Sequence, residues 1–175
     1  MLKQSIIFNG FMGVGKTTIA KQVAEELNYT FVDIDKEIIK SFNLPITEIF
    51  KQFGEKSFRK KETELISFFT KQPVNVIALG GGAFKNPENI NTCLKNGLVI
   101  HLDLSYEHWK IRMPKLIDTR PILQNKTGIE IKELYDERQL IYQNRDIHIM
   151  TDNLTEKEVT EIVINKLKLH HKKES

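Results

Sequence analysis

The sequence predicts an α/β fold with three layers, α/β/α, around a central and mostly five-stranded parallel sheet. Three observations predict it. Short β-branched and aromatic runs alternate with segments of helical periodicity along the chain. A glycine-rich loop lies between the first such run and the first helix-like segment. The strongest strand signal ends in three consecutive glycines. In sheets of this kind ligands gather at the carboxyl ends of the strands.

The elements follow in order. Residues 5–8, Ser5-Ile6-Ile7-Phe8, form a short run that stops at Asn9-Gly10 and reads as a buried strand. Residues 16–27 place Ile19, Val23 and Leu27 at helical spacing. A second strand spans 29–33. Residues 44–53 and 58–69 read as two helices with Gly54 as the break. The strand at 74–79 precedes the triple glycine. Asn86 and Pro87 open a helix over 86–95, and 98–102 is a further strand. The helix at 106–113 is ended by Pro114. A long helix spans 129–144, a last strand 147–150, and a closing helix 155–169. His170 to Ser175 reads as a frayed, solvated tail.

Length and composition narrow the possibilities. A chain of 175 residues suits one domain over 1–175 with a full core. It is 40% hydrophobic and 28% charged, the balance of a globular protein. A net charge of +3 fits small anionic ligands and gives no argument for nucleic acid. The early apolar run is too short for a signal peptide or a membrane span. The single cysteine, Cys93, excludes an intrachain disulfide, suits a reducing cytoplasm and reads as a core residue. The five histidines show no metal-ligand spacing, so no structural zinc is expected.

Gly10-Phe11-Met12-Gly13-Val14-Gly15-Lys16-Thr17 matches G-x-x-x-x-G-K-[ST], with a strand before it and a helix after it. Inward-pointing N–H groups at Gly13, Val14, Gly15 and Thr18, together with the positive helix end, make a nest for phosphates. Lys16 would reach the β- and γ-phosphates, and Thr17 would place its hydroxyl on Mg²⁺. The loop alone implies a nucleoside triphosphate and leaves GTPase, ATPase and kinase open. No Asn-Lys-x-Asp guanine-reading motif is present.

Asp33 and Asp35 end the second strand. Two residues apart in an extended segment, they share a face, directed at the phosphate loop if this strand neighbours the first. Asp33 can hold Mg²⁺ through its water shell, and Asp35 can accept a hydrogen bond and then a proton from an attacking hydroxyl. The structural alternative is that Asp35 caps the helix beginning Lys36-Glu37-Ile38.

From here the chain resembles the bacterial shikimate kinases, a branch of the nucleoside-monophosphate-kinase-like P-loop fold, over about 6–163. The resemblance rests on the phosphate loop, Asp33-x-Asp35, and Phe50-x-x-x-Gly54-Glu55-x-x-Phe58-Arg59-x-x-Glu62. It continues through Leu79-Gly80-Gly81-Gly82-Ala83, Thr119-Arg120-Pro121-Ile122-Leu123 and Glu137-Arg138-x-x-x-Tyr142. It implies that ATP and shikimate are the partners, with Mg²⁺ as cofactor and helices at about 35–62 forming the shikimate side. It also implies that Arg59 and Arg138 grip the shikimate carboxylate, for which a guanidinium fork is suited. Gly80, Gly81 and Gly82 would bind substrate oxygens through their N–H groups, and Phe50 and Phe58 would wall the pocket. Glu62, three residues after Arg59 on one helix face, would fix the guanidinium.

The polar stretch at about 114–127 reads as a mobile lid. Arg120 would stabilise charge on the transferring phosphoryl group. Arg112 resembles the family position that stacks on adenine, and Thr151-Asp152-Asn153 would lie beside the base. Two departures stand out: Pro114-Lys115-Leu116-Ile117 replaces the glycines often found before the lid arginine, and Arg145-Asp146 replaces Ala-Asp. With every site residue supplied in cis, the chain is expected to act as a monomer. Two other readings compete: a gluconate-type small-molecule kinase, and a degenerate regulatory paralogue, which predicts lost catalytic groups.

Overall fold

The computed structural model describes residues 4–72, 74–114, 121–123 and 126–174. Five strands, β1 (Ser5–Asn9), β2 (Thr30–Asp33), β3 (Asn75–Ala78), β4 (Gly97–Asp103) and β5 (Ile147–Met150), form one sheet in the order β2-β3-β1-β4-β5. Every pairing is parallel. The helices are α1 (Lys16–Leu27), α2 (Ile34–Phe42), α3 (Ile46–Thr70), α4 (Pro87–Asn96), α5 (Tyr106–Arg112), α6 (Gly128–Ile141) and α7 (Glu156–Glu174).

Strand alternation sorts the core into two layers. Ile6, Phe8, Val76, Ala78, Leu98, Ile100 and Leu102 face one layer, against Ile19 and Val23 of α1 and Val159 and Val163 of α7. Ile7, Ile77 and Val99 face the other, against Ile34, Ile38, Ile49, Ile66 and Cys93. Cys93 is fully buried, and burial pushes its thiol up to about 12.

Three local expectations need correction, and one is met. The segment after β2 is helical: α2 begins at Ile34, and Asp33 caps it by accepting from the Lys36 backbone N–H. Asp33 and Asp35 therefore do not share an extended strand, and the capping residue is Asp33, not Asp35. The expected break at Gly54 is present: its backbone (φ 75, ψ 165) leaves the helical region and divides Ile46–Thr70 into two helices across a kink. β2 does not neighbour β1, because β3 lies between them. The C-terminal segment stays helical to Glu174.

Candidate active site

The phosphate loop joins β1 to α1. Gly10, Gly13 and Gly15 all have positive φ (144, 79 and 102), and a Cβ on Gly10 would stand 2.3 Å from the Leu102 carbonyl oxygen, so the loop's opening turn admits only glycine. Lys16 is buried and its Nζ donates to the Gly10 (2.7 Å) and Phe11 (3.0 Å) carbonyls. Helix α5 holds the loop from the other side. Trp109 Nε1 donates to the Met12 carbonyl (2.8 Å), Arg112 Nη1 donates to the Gly13 carbonyl (3.2 Å), and Phe11 packs edge-on against Trp109 and Tyr135. Thr18 follows Thr17 in the first turn of α1.

Asp33 reaches the loop although its strand lies two positions from β1. Thr17 Oγ1 donates to Asp33 Oδ2 at 3.0 Å, while Asp33 Oδ1 serves as the α2 cap. Helix α1 crosses over β3 and packs on β2, which brings Thr17 to the end of that strand.

Beside the loop lies a cavity of about 470 Å³, lined by Asp35, Phe50, Phe58, Arg59, Gly80, Gly81, Gly82 and Arg138. Met12, Ile46, Thr47, Glu55, Glu62 and Ile122 complete the wall. Phe50 and Phe58 face each other with centroids 4.9 Å apart, and the Arg59 guanidinium lies 5.1 Å over the Phe58 ring. Arg59 Nη1 donates to both Glu62 oxygens (3.1 and 2.9 Å), and its Nε donates to Glu55 (3.2 Å). Arg59 is thus not part of a plain solvated basic face.

The triple glycine does more than expose backbone. A Cβ on Gly80 would come 2.7 Å from Asp35 Oδ1, and one on Gly82 would come 2.9 Å from Arg59 Nη2. The missing side chains make room for the two functional groups that lean over them. Tyr142 O–H donates to the Gly81 carbonyl at 2.6 Å and fixes the same strand end from α6.

The charge balance is unusual. Glu62 is 1% exposed, and burial pushes its carboxyl up to about 7 against the pull of Arg59 and Arg138, with Asp35 adding to the rise. Arg138 is 3% exposed, and its Nε and Nη1 have no hydrogen-bond partner among the described residues. Buried donors are normally paired, and these two belong to a side chain that lines the cavity.

Every site residue of the sequence reading but one lies among the described residues; Arg120, with most of the 114–127 stretch, lies outside them. Thr151, Asp152 and Asn153 lie after β5, held by Asp152 Oδ1 accepting from Ser105 N–H (2.8 Å) and by His108 Nε2 against Asn153 Oδ1 (3.0 Å). The sequence reading gave no pocket role to Met12, Ile46, Thr47 or Ile122: the three apolar side chains look like ordinary packing residues in sequence, and Thr47 looks like a surface helix position. It also left Tyr142 without a role, although its place one helical turn after Arg138 was a usable signal.

A model of the shikimate kinase family matches residues 12–168. The chain is 45% identical over 168 residues to a shikimate kinase of Bacillus subtilis (strain 168), covering 95% of this chain and 90% of that one. The chain belongs to the shikimate kinase family. A shikimate kinase of Oceanobacillus iheyensis is also 45% identical, over 95% of this chain and 91% of its own length. Among solved structures, the shikimate kinase from Acinetobacter baumannii in complex with shikimate superposes with a TM-score of 0.88 at 26% identity, over 96% of this chain and 94% of that one. As a member of this family the chain is an ATP-dependent phosphotransferase.

Proposed function

We propose that the chain transfers the γ-phosphoryl group of ATP to the 3-hydroxyl of shikimate, giving shikimate 3-phosphate and ADP for aromatic amino acid biosynthesis. The observation that carries this reading is Arg138. Its buried, unpartnered N–H groups share a cavity with Arg59, Asp35 and the end of the phosphate loop. A substrate carboxylate on Arg138 and Arg59 leaves its ring against Phe50 and Phe58 and its hydroxyls toward Asp35 and Gly80 to Gly82.

The roles follow from this placement. Lys16 exchanges its carbonyl contacts for the β- and γ-phosphates, next to the N–H groups of Gly13, Val14, Gly15, Thr17 and Thr18. Asp35 orients the acceptor hydroxyl and takes its proton as the O–P bond forms. Glu62 holds Arg59 in place. Arg120 reaches the transferring phosphoryl group from the lid, and Arg112 lies against the adenine. Thr17 Oγ1 and Asp33, hard oxygen donors 3.0 Å apart, fit Mg²⁺. Bound there, Mg²⁺ supplies charge neutralisation to the phosphates.

The described groups all come from one chain, which supports action as a monomer. No helix among the described residues is long and apolar enough to cross a membrane, and a lone buried thiol suits the cytoplasm. An ADP-release assay with ATP and Mg²⁺ tests the reading against shikimate, quinate, gluconate and no acceptor. Turnover that depends on shikimate is expected. Turnover with gluconate instead would reject the pocket assignment and favour a gluconate-type kinase. ATP binding without turnover on any acceptor would favour a regulatory paralogue.

A further inference from the structure

The carboxyl ends of β4 and β5 carry three side chains with no part in the phosphoryl transfer. His101 and Asp103 are two apart on β4 and so share a face. His148 is the register partner of His101 on β5, which puts it on that face too. Their ligand atoms all lie within 4.8 Å of one another, the one such convergence of three metal-ligating side chains among the described residues. The strand register brings together histidines 47 positions apart in the chain (148 − 101), so sequence spacing could not reveal the cluster.

A second observation points into the cluster. His101 is 1% exposed, and its Nε2 has no hydrogen-bond partner among the described residues. Its Nδ1 is 2.9 Å from Asn9 Oδ1. With Asn9 Oδ1 as the acceptor, Nδ1 carries the proton and Nε2 presents a bare lone pair; the amide in this orientation leaves Asn9 Nδ2 without a partner among the described residues. That lone pair lies 3.8 Å from Asp103 Oδ1, too far for a hydrogen bond. A ligating histidine commonly has its other nitrogen fixed in this way by a carbonyl oxygen. His101 is further held between the Tyr142 ring (centroids 4.9 Å) and the His148 ring (5.5 Å, 11° between planes).

We propose that His101 Nε2, Asp103 and His148 Nε2 bind a divalent transition-metal ion of the zinc type, separate from the magnesium position at Thr17 and Asp33. Two imidazoles and one carboxylate suit Zn²⁺, Ni²⁺ or Cu²⁺ and disfavour Mg²⁺. An ion about 2.1 Å from each ligand requires His148, the exposed member on the edge strand, to rotate out of its stack on His101 so that the two in-plane lone pairs converge. Binding replaces the His148 Nε2 to Asp103 Oδ2 contact of 3.0 Å, and the His148 ring passes to its Nδ1–H form. Gln139 Nε2 continues to orient Asp103 through Oδ1 (3.1 Å). Arg145 and Lys16 are cations near enough to act on His101. They repel an incoming ion. Asp103 supplies the opposing charge.

The test is a calorimetric titration of the untagged full chain with Zn²⁺ alone, without nucleotide. One equivalent per chain is expected. Asp103→Asn and His148→Ala each weaken it about 100-fold, while a His170→Ala/His171→Ala double variant leaves it unchanged. Absence of binding by the wild type, or loss only in the double variant, overturns the proposal. Imidazole ¹⁵N spectra of the wild type keep the test independent of variant folding. The metal-free His101 should carry its proton on Nδ1, and Zn²⁺ should shift His101 Nε2 and His148 Nε2 together. A proton on His101 Nε2, or shifts confined to His170 and His171, overturns it.

Discussion

The phosphate loop and the acceptor cavity both bury a cation, and they treat it in opposite ways. Lys16 Nζ donates to two loop carbonyls at 2.7 and 3.0 Å. Arg138 is as deeply placed, yet leaves Nε and Nη1 unpartnered among the described residues. The loop is built from eight consecutive residues and supplies its own acceptors from the backbone. The cavity is assembled from α2, α3, the β3 end and α6, and no acceptor in it reaches those two donors. An engaged lysine costs little to keep folded. An unpaired buried guanidinium costs free energy until an anion arrives. On the proposed function, the nucleotide half is complete in itself and the acceptor half is completed by its ligand.

Lys16→Ala tests the first side and carries the largest expected effect. Its ammonium is replaced by nothing at the γ-phosphate, so turnover should fall by about 100-fold or more, the scale of one lost electrostatic contact in a transition state. Steady-state kinetics with saturating shikimate reads it. Near-normal turnover would break the assignment of Lys16. Arg138→Met tests the second side. The KM for shikimate should rise on the order of 100-fold, matching a lost charged pair of about 2–3 kcal/mol. The melting temperature of the unliganded variant should hold or rise, because an uncompensated buried charge is gone. A clear drop in melting temperature would make Arg138 a structural residue and erase the contrast with Lys16.

The same contrast explains what was legible in the sequence. The loop could be read whole, because its chemistry and its spacing are contiguous and its flanking strand and helix are local. The parallel sheet was legible from alternation, and the strands were located to within a residue or so of their ends. The α2 start was not, because Asp33-Ile34-Asp35 alternates like a strand while Asp33 turns the backbone through a side-chain cap. Strand order was beyond reach, since it depends on which helices cover which face. Arg59 and Arg138 could be assigned only through resemblance: in isolation each sits in a polar helical stretch. Their burial, and the room that Gly80 and Gly82 leave for Asp35 and Arg59, are tertiary facts. The His101–Asp103–His148 convergence is of the same kind.

Glu62 sharpens the comparison through pH. Its folded carboxyl is pushed up to about 7 from an ordinary 4.5. Between those values the folded chain holds a proton that the unfolded chain has released, so stability falls as pH rises through that window. Below 4.5 both states are protonated and the full contribution is present; above 7 it is lost. Glu62→Gln abolishes this component. Melting temperatures across pH 4.5–7, wild type minus variant, should show a decline on the order of 10 °C that belongs to Glu62. Parallel curves would mean that Arg59 fully compensates the buried carboxylate.

Arg112 returns to the nucleotide side with the smallest expected effect. Its guanidinium is exposed and makes one hydrogen bond among the described residues, 3.2 Å from Nη1 to the Gly13 carbonyl. Trp109 already fixes the loop one residue earlier through the Met12 carbonyl at 2.8 Å from a fully buried position. Loss of the Arg112 contact therefore leaves the loop in place, and what the variant tests is the proposed stacking on adenine, worth up to about 1 kcal/mol at an exposed site. Arg112→Ala should raise the KM for ATP about threefold and leave turnover and the KM for shikimate unchanged. A fall in turnover as large as that of Lys16→Ala would show that the loop is not self-contained, and that its shape depends on α5 through Arg112 as much as through Trp109.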